Sequence, residues 1–398
     1  RIHPISSNIS FENIGTLRKS GGSGITVINS TFVNRAGAHL DATSGFIQYN
    51  GATTFEAGTV FLASNGGQHV FDTNAITYYF NGAFSAPDHS LAFLDGTYLN
   101  AGPSPLTLPG NFQWNGGTFR GDWHVDEGKN LKVVSGTPKE FNGRFVNDGN
   151  LTWETTDQFT LSGSGTTFVN RGLLDIAADA RIHPISSNIS FENIGTLRLN
   201  ETARLLLATS IDFINRGTVE LNGNRLDVRN DWTNEGLIRG NGDLGTSHLM
   251  NAGRLTPGDI AEASTPLSAA LRQIGTLNFL GDLTLAEGSE LILDLGADGA
   301  SDRINISGDI VLGGLLRLNL LDGIELEIGD TFRILTFAHG SQLFSGFSYI
   351  TPGRLLTLEY GDQYIDVRVA AVPEPTAWSA MLAGLLVTVV AVRRRRQT

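Results

Sequence analysis

The chain of 398 residues has no cysteine and only two methionines. Without cysteine no disulfide can brace the fold, and the redox compartment is left open. Basic side chains are also scarce: 28 Lys and Arg stand against 40 Asp and Glu, a net charge of −12. Four of those 28 are Arg393, Arg394, Arg395 and Arg396, so residues 1–392 hold 24 basic and 40 acidic side chains, a formal −16. An acidic body repels phosphate backbones and no basic aromatic patch offsets it, which argues against nucleic acid as a partner. Catalytic signatures are missing as well. No G-x-x-x-x-G-K-[S/T] phosphate loop, H-E-x-x-H metal pair or G-x-S-x-G nucleophile elbow occurs. Gly21-Gly22-Ser23-Gly24 begins like a calcium-binding nonapeptide but lacks its aspartate, so no cofactor or metal is expected.

What the chain has in abundance is repetition. In Phe191-Glu192-Asn193-Ile194-Gly195-Thr196-Leu197 the alternate residues are an aromatic, an asparagine, a glycine and an aliphatic. The frame recurs at 11–17, 145–151, 168–174, 213–219, 232–238 and 249–255, with Asn and Gly holding their places in all seven copies. A fixed frame repeated every twenty-odd residues predicts an all-β, right-handed parallel β-helix, or solenoid. Alternate side chains of a strand share a face, so Phe191 and Leu197 are expected in a common core. Gly195 suits a corner with positive φ. Asn193 either bonds its own backbone at the turn or stacks as an amide ladder on the next coil. Residues 1–18 are identical to 181–198, an offset that the mean spacing makes eight coils, so the two segments are expected to share one stacking register.

The spacing predicts roughly twelve turns over residues 1–255, some 55 Å at about 4.8 Å per coil. Between about 60 and 130 the frame is lost, and Asn81-Gly82, Asp95-Gly96 and Asn115-Gly116 with Pro103, Pro105 and Pro109 mark turns or an inserted loop. After Leu255 a polar stretch (260–272) reads as a loop. Irregular strands then follow to residue 371, as expected of a β-rich region (256–371) capping the open edge. These strands, and Gln113-Trp114-Asn115-Gly116-Gly117-Thr118-Phe119, resemble coils of secreted bacterial β-helices and the region that closes autotransporter passengers.

The final 27 residues carry an address. Val372-Pro373-Glu374-Pro375 precedes 17 uncharged residues, Thr376 to Val392, and then Arg393 to Arg396. As helix the apolar run spans about 26 Å, a short transmembrane helix, with the arginines holding its far end in the cytoplasm. This tripartite tail resembles a PEP-CTERM sorting signal, the tag recognised by exosortases in Gram-negative bacteria. The resemblance implies that Pro373, Glu374 and Pro375 are the recognition element. It further implies that the helix is a transient anchor in the inner membrane and that the arginines are its stop signal. An export signal and further coils are expected to precede Arg1.

The leading expectation is therefore a non-enzymatic, exported structural or adhesive protein of the cell surface or exopolysaccharide matrix. A polysaccharide-active enzyme is the alternative. Its candidate site is His124 with Asp122 and Asp126 at i−2 and i+2, although Trp123 and Val125 take the inward positions and the trio also fits a solvated face. Ice binding is a third reading, but Thr53-Thr54 and Thr166-Thr167 form no regular rank. Six N-x-[S/T] sequences (Asn8, Asn29, Asn150, Asn188, Asn200, Asn305) are candidate glycan acceptors.

Overall fold

A computed structural model describes Ile2 and residues 9–258, 273–321, 323–349 and 353–372. The chain forms a β-solenoid of about 14 turns, which at ~4.8 Å per coil is about 65 Å long. Each strand hydrogen-bonds in parallel to its counterpart one coil away. Phe168, Phe191 and Phe213 are direct register partners, as are Asn170, Asn193 and Asn215, and Leu174, Leu197 and Val219. Period-two alternation buries the frame's aromatic and aliphatic residues and turns the intervening ones outward. Phe168, Phe191 and Leu197 are almost fully buried. The inward rings form a continuous stack, with centroids 4.9 Å apart for Phe168–Phe191, 5.1 Å for Phe191–Phe213 and 5.0 Å for Phe213–Trp232. Contacts at such distances add to the burial of large apolar area.

The frame asparagines form an amide ladder. Nδ2 of Asn147 donates to Oδ1 of Asn170 at 2.7 Å, Asn170 to Asn193 at 2.7 Å, Asn193 to Asn215 at 2.7 Å, Asn215 to Asn234 at 2.6 Å and Asn234 to Asn251 at 2.6 Å. A second Nδ2 bond reaches a backbone carbonyl of the following coil, for example Asn170 to Thr196 O at 2.9 Å. The backbone joins in: Asn170 O accepts from the N–H of both Ile194 and Gly195 at 2.7 and 2.9 Å. Donors and acceptors that a buried corner would otherwise leave orphaned are paired coil to coil.

The reason for glycine in the frame differs from the sequence expectation. Gly195 does not have positive φ, and neither do the other frame glycines. Instead the corners stack so closely that a Cβ on Gly195 would lie 2.1 Å from Gly172 O and one on Gly217 would lie 2.0 Å from Gly195 O. The same carbonyls accept the next hydrogen bonds, Gly172 O from Thr196 N at 2.8 Å and Gly195 O from Thr218 N at 2.8 Å. Glycine is required here for close approach rather than for its dihedral freedom.

Between residues 60 and 130 the stack continues without the frame. Gln68–Phe80 pairs in parallel with Leu91–Asn100, bringing Phe71 onto Phe93 and Tyr78 onto Tyr98. Aromatic rings replace the amides: the Asn34 position is followed by Phe55 and then Phe80, whose ring centroids are 5.0 Å apart. The long ladder starts where Val125 lies below Asn147, in a column separate from that of Asn34. Eight coils on from Phe11 the register reaches Pro184 rather than Phe191, so the two identical segments do not stack in register as the sequence suggested. Val125 cannot donate, and among the described residues Asn147 Oδ1 is buried without a donor.

Parallel pairing continues from Thr276–Leu285 through Gly346–Tyr349. The segment 260–272 lies outside the described residues. Thr331–Thr336 then pairs antiparallel with Tyr364–Ala371, which also pairs antiparallel with Arg354–Tyr360. Reversed strands laid on a parallel stack offer no register for another identical coil, which shields the edge.

Candidate functional site

Alternation places Trp123 and Val125 in the core, both essentially inaccessible, and sends His124 outward to an 18% exposed position. Register then brings Arg144 opposite Asp122. His124 Nε2 lies 3.3 Å from Asp122 Oδ1 and 3.3 Å from Arg144 Nη1, while Nδ1 lies 3.1 Å from Asp148 Oδ2. Arg144 is also 3.6 Å from Asp122, and Arg171 is 3.6 Å from Asp148. Asp126 does not join this group. It is exposed, and its Oδ1 accepts from the Glu127 backbone N–H at 3.0 Å. The structure therefore keeps Asp122 and His124 together and supplies Asp148 and two arginines from later coils in place of Asp126. Each carboxylate faces a guanidinium, an arrangement suited to a partly exposed charge ladder contributing of order 0–1 kcal/mol per pair.

Among the described residues no group of three or more His, Asp or Glu is placed to hold a metal ion. Of the tail motif only Val372 is described, and it is exposed. Pro373, Glu374 and Pro375, the apolar run and Arg393 to Arg396 lie outside the described residues. Among those described, no helix is long and apolar enough to cross a membrane.

A concave site that sequence reading missed lies on one outer sheet face, a groove of about 490 Å³. Register aligns Gln48, Val70, Ala92 and Gln113 in one outward column on four successive coils. Short Val70 and Ala92 form its floor, longer Gln48 and Gln113 stand at its ends, and Phe46 and Leu94 line it beside them. Gln68 Nε2 donates to His89 O at 2.8 Å, tying down a corner where His89 has φ 60°. Burial, and next the charge of Asp95, raise the carboxyl of Asp72 above its ordinary value. Farther along, the same column becomes Asp175, Arg198, Glu220 and Arg239, alternating in sign from coil to coil. Only the register reveals these columns, because unequal loops between coils hide the spacing of their members.

No family model matches this chain, and no curated protein is similar to it.

The register also aligns Thr77, Thr97 and Thr118, a rank not visible in the sequence. Glu140 follows them, and the neighbouring outward column holds Tyr79, Leu99 and Arg120. So short and uneven a rank makes a poor match to a flat lattice. The candidate glycan acceptors differ in availability. Asn305 spends its amide on Asn278 and Thr336, and Asn200 donates to Asp175, whereas Asn188 is exposed at a bend with φ 57°.

Proposed function

We propose that this chain is an exported, non-enzymatic scaffold or adhesin, sorted to the cell surface or the exopolysaccharide matrix. The observation that carries the reading is the tripartite tail: Val372-Pro373-Glu374-Pro375, 17 uncharged residues, and Arg393 to Arg396. Its order is that of an export-side recognition element, a membrane anchor and a cytoplasmic stop. The coils are taken as right-handed, the hand of nearly all parallel strand crossovers. Thr376 to Val392 would form the transient transmembrane helix, and an exosortase would remove it. A body of stacked coils suits such a role because repeated outer columns offer an extended surface with no need for a single catalytic centre.

The test is intact-mass analysis of the protein recovered from cells with and without the exosortase. Loss of the mass from beyond the Pro-Glu-Pro element, only when the enzyme is present, is the expected result. A mature surface form that retains Arg393 to Arg396 would overturn the sorting assignment. Depolymerisation of matrix polysaccharide by the purified chain, abolished when Asp122, His124 and Asp126 are all replaced, would overturn the non-enzymatic reading.

A further inference from the structure

We propose that the groove between Gln48 and Gln113 binds a chain of uncharged carbohydrate lying along the solenoid axis. This names what the proposed scaffold would hold, and it rests on that reading only for its biological setting.

The groove's size falls within the range of small-ligand sites, about 300–1,000 Å³. Its length follows from the register: Gln48 and Gln113 are three coil steps apart, roughly 14 Å. That is the reach of a short oligosaccharide rather than of a single ring.

The lining chemistry suits such a chain. A pyranose ring has apolar C–H faces and an equatorial fringe of hydroxyls, each both donor and acceptor. Phe46, Val70, Leu94 and the largely exposed Ile25 supply apolar surface. Gln48, Gln68, Gln113 and Asn115 supply amides, each with a carbonyl acceptor and two N–H donors, the pair of functions that vicinal hydroxyls engage. Among the described residues the side chains of Gln48 and Gln113 make no protein hydrogen bond, so neither must break one to receive a ligand.

Charge excludes the main competitors. No lysine or arginine lines the groove, and its one formal charge is the carboxylate of Asp72, with Asp95 beside it in register. A uronate, sulfate or phosphate chain would meet like charge without a compensating cation.

Direction follows as well. Where the column passes from Gln113 to Lys132 it leaves the groove lining, and farther on it becomes the alternating charge ladder. In this column the neutral amides and small apolar residues run from Val27 to Gln113.

Calorimetric titration of the full chain in mild detergent tests this, using cello-, malto-, xylo- and manno-hexaose as uncharged probes and hexagalacturonate as the charged one. Saturable binding of at least one uncharged hexaose, stronger than that of hexagalacturonate, is expected. Ala92→Trp, which fills the floor from outside the core, and the double variant Gln48→Ala/Gln113→Ala should each weaken it at least about tenfold. Both should keep the parent's far-ultraviolet spectrum and melting temperature. The proposal is overturned if no uncharged hexaose binds, if hexagalacturonate binds better, or if a folded Ala92→Trp variant binds as the parent does. Failure of tail processing would count against the sorting assignment and leave these binding results standing.

Discussion

Asn170 donates its side-chain N–H to Oδ1 of Asn193 at 2.7 Å, and neither residue has any exposed surface. Asn193 passes the bond on to Asn215 and also reaches Thr218 O at 3.0 Å. A buried amide held this way is satisfied only while both neighbouring coils supply theirs, so the ladder couples coils that are distant in sequence.

Replacing Asn193 by Ala should therefore cost about 2–4 kcal/mol, because Asn215 Oδ1 loses its side-chain donor and Asn170 Nδ2 one of its acceptors in a dry corner. Asn13→Ala, in a frame with the same sequence, removes one ladder bond to Asn34 and one to His39 O from a less buried position. It should cost about 1 kcal/mol. Urea midpoints of the two variants check the difference, and equal losses would remove the ladder as its cause.

The glycines offer a sharper comparison. A Cβ at Gly195 would sit 2.1 Å from Gly172 O, whereas at Gly15 nothing among the described residues lies within 4 Å. Gly195→Ala should depress the melting temperature strongly, with a cost above about 2 kcal/mol from displaced backbone. Gly15→Ala should change stability by less than about 1 kcal/mol. Both sites have the same flanking sequence, so local propensity cancels in the comparison.

His69 is fully buried, with Tyr49 Oη 2.9 Å from Nδ1 and Leu62 O 3.0 Å from Nε2. A carbonyl can only accept, so Nε2 carries the proton and the Tyr49 hydroxyl donates to Nδ1. Burial lowers the pKa of His69 from 6.5 to about 4. As pH falls through 6.5 the unfolded chain takes up a proton that the folded chain refuses. Stability contributed by the neutral ring is complete above that pH, declines as pH falls, and stops declining near 4. The gap from 6.5 to about 4 corresponds to about 3 kcal/mol. Imidazole resonances followed by NMR should show His69 titrating near 4; a midpoint near 6.5 would contradict the buried arrangement.

The ladder around His124 should matter little to folding. His124→Gln keeps a polar side chain between Asp122 and Asp148, and these contacts are partly exposed. A change below about 1 kcal/mol is expected in the urea midpoint at neutral pH. A loss of several kcal/mol would mean that the cluster is a structural core rather than a surface feature.

Reading the frame was enough to anticipate the stacked coils and the inward Phe and Leu, since the alternation of apolar residues fixes which face of a strand is buried. It left Asn193 with two alternatives, and the structure has both: Nδ2 donates to Asn215 Oδ1 at 2.7 Å and to Gly195 O, in its own turn, at 3.3 Å. It also assigned Gly195 to a positive-φ corner, because a lone sequence contains no sign of a carbonyl 2 Å from where a Cβ would be. Of the candidate trio, Asp122 and His124 meet, but Asp148 and Arg144 join from the next coil, and strand spacing within one coil cannot show that.

The two identical segments, 1–18 and 181–198, separate the two kinds of information. The amino-acid sequence by itself determined that each would alternate, turn at Asn-x-Gly and offer Phe and Leu to a core, because these are properties of a single strand. Tertiary structure alone decided that Gly195 tolerates no Cβ while Gly15 has room, and that Ile14 is 85% exposed while Ile194 is 42% exposed. It also decided that Gln48 and Gln113 share a groove. Those outcomes depend on which coil lies next door, and neighbours in a solenoid are set by register between strands some twenty residues apart rather than by the residues adjacent in the chain.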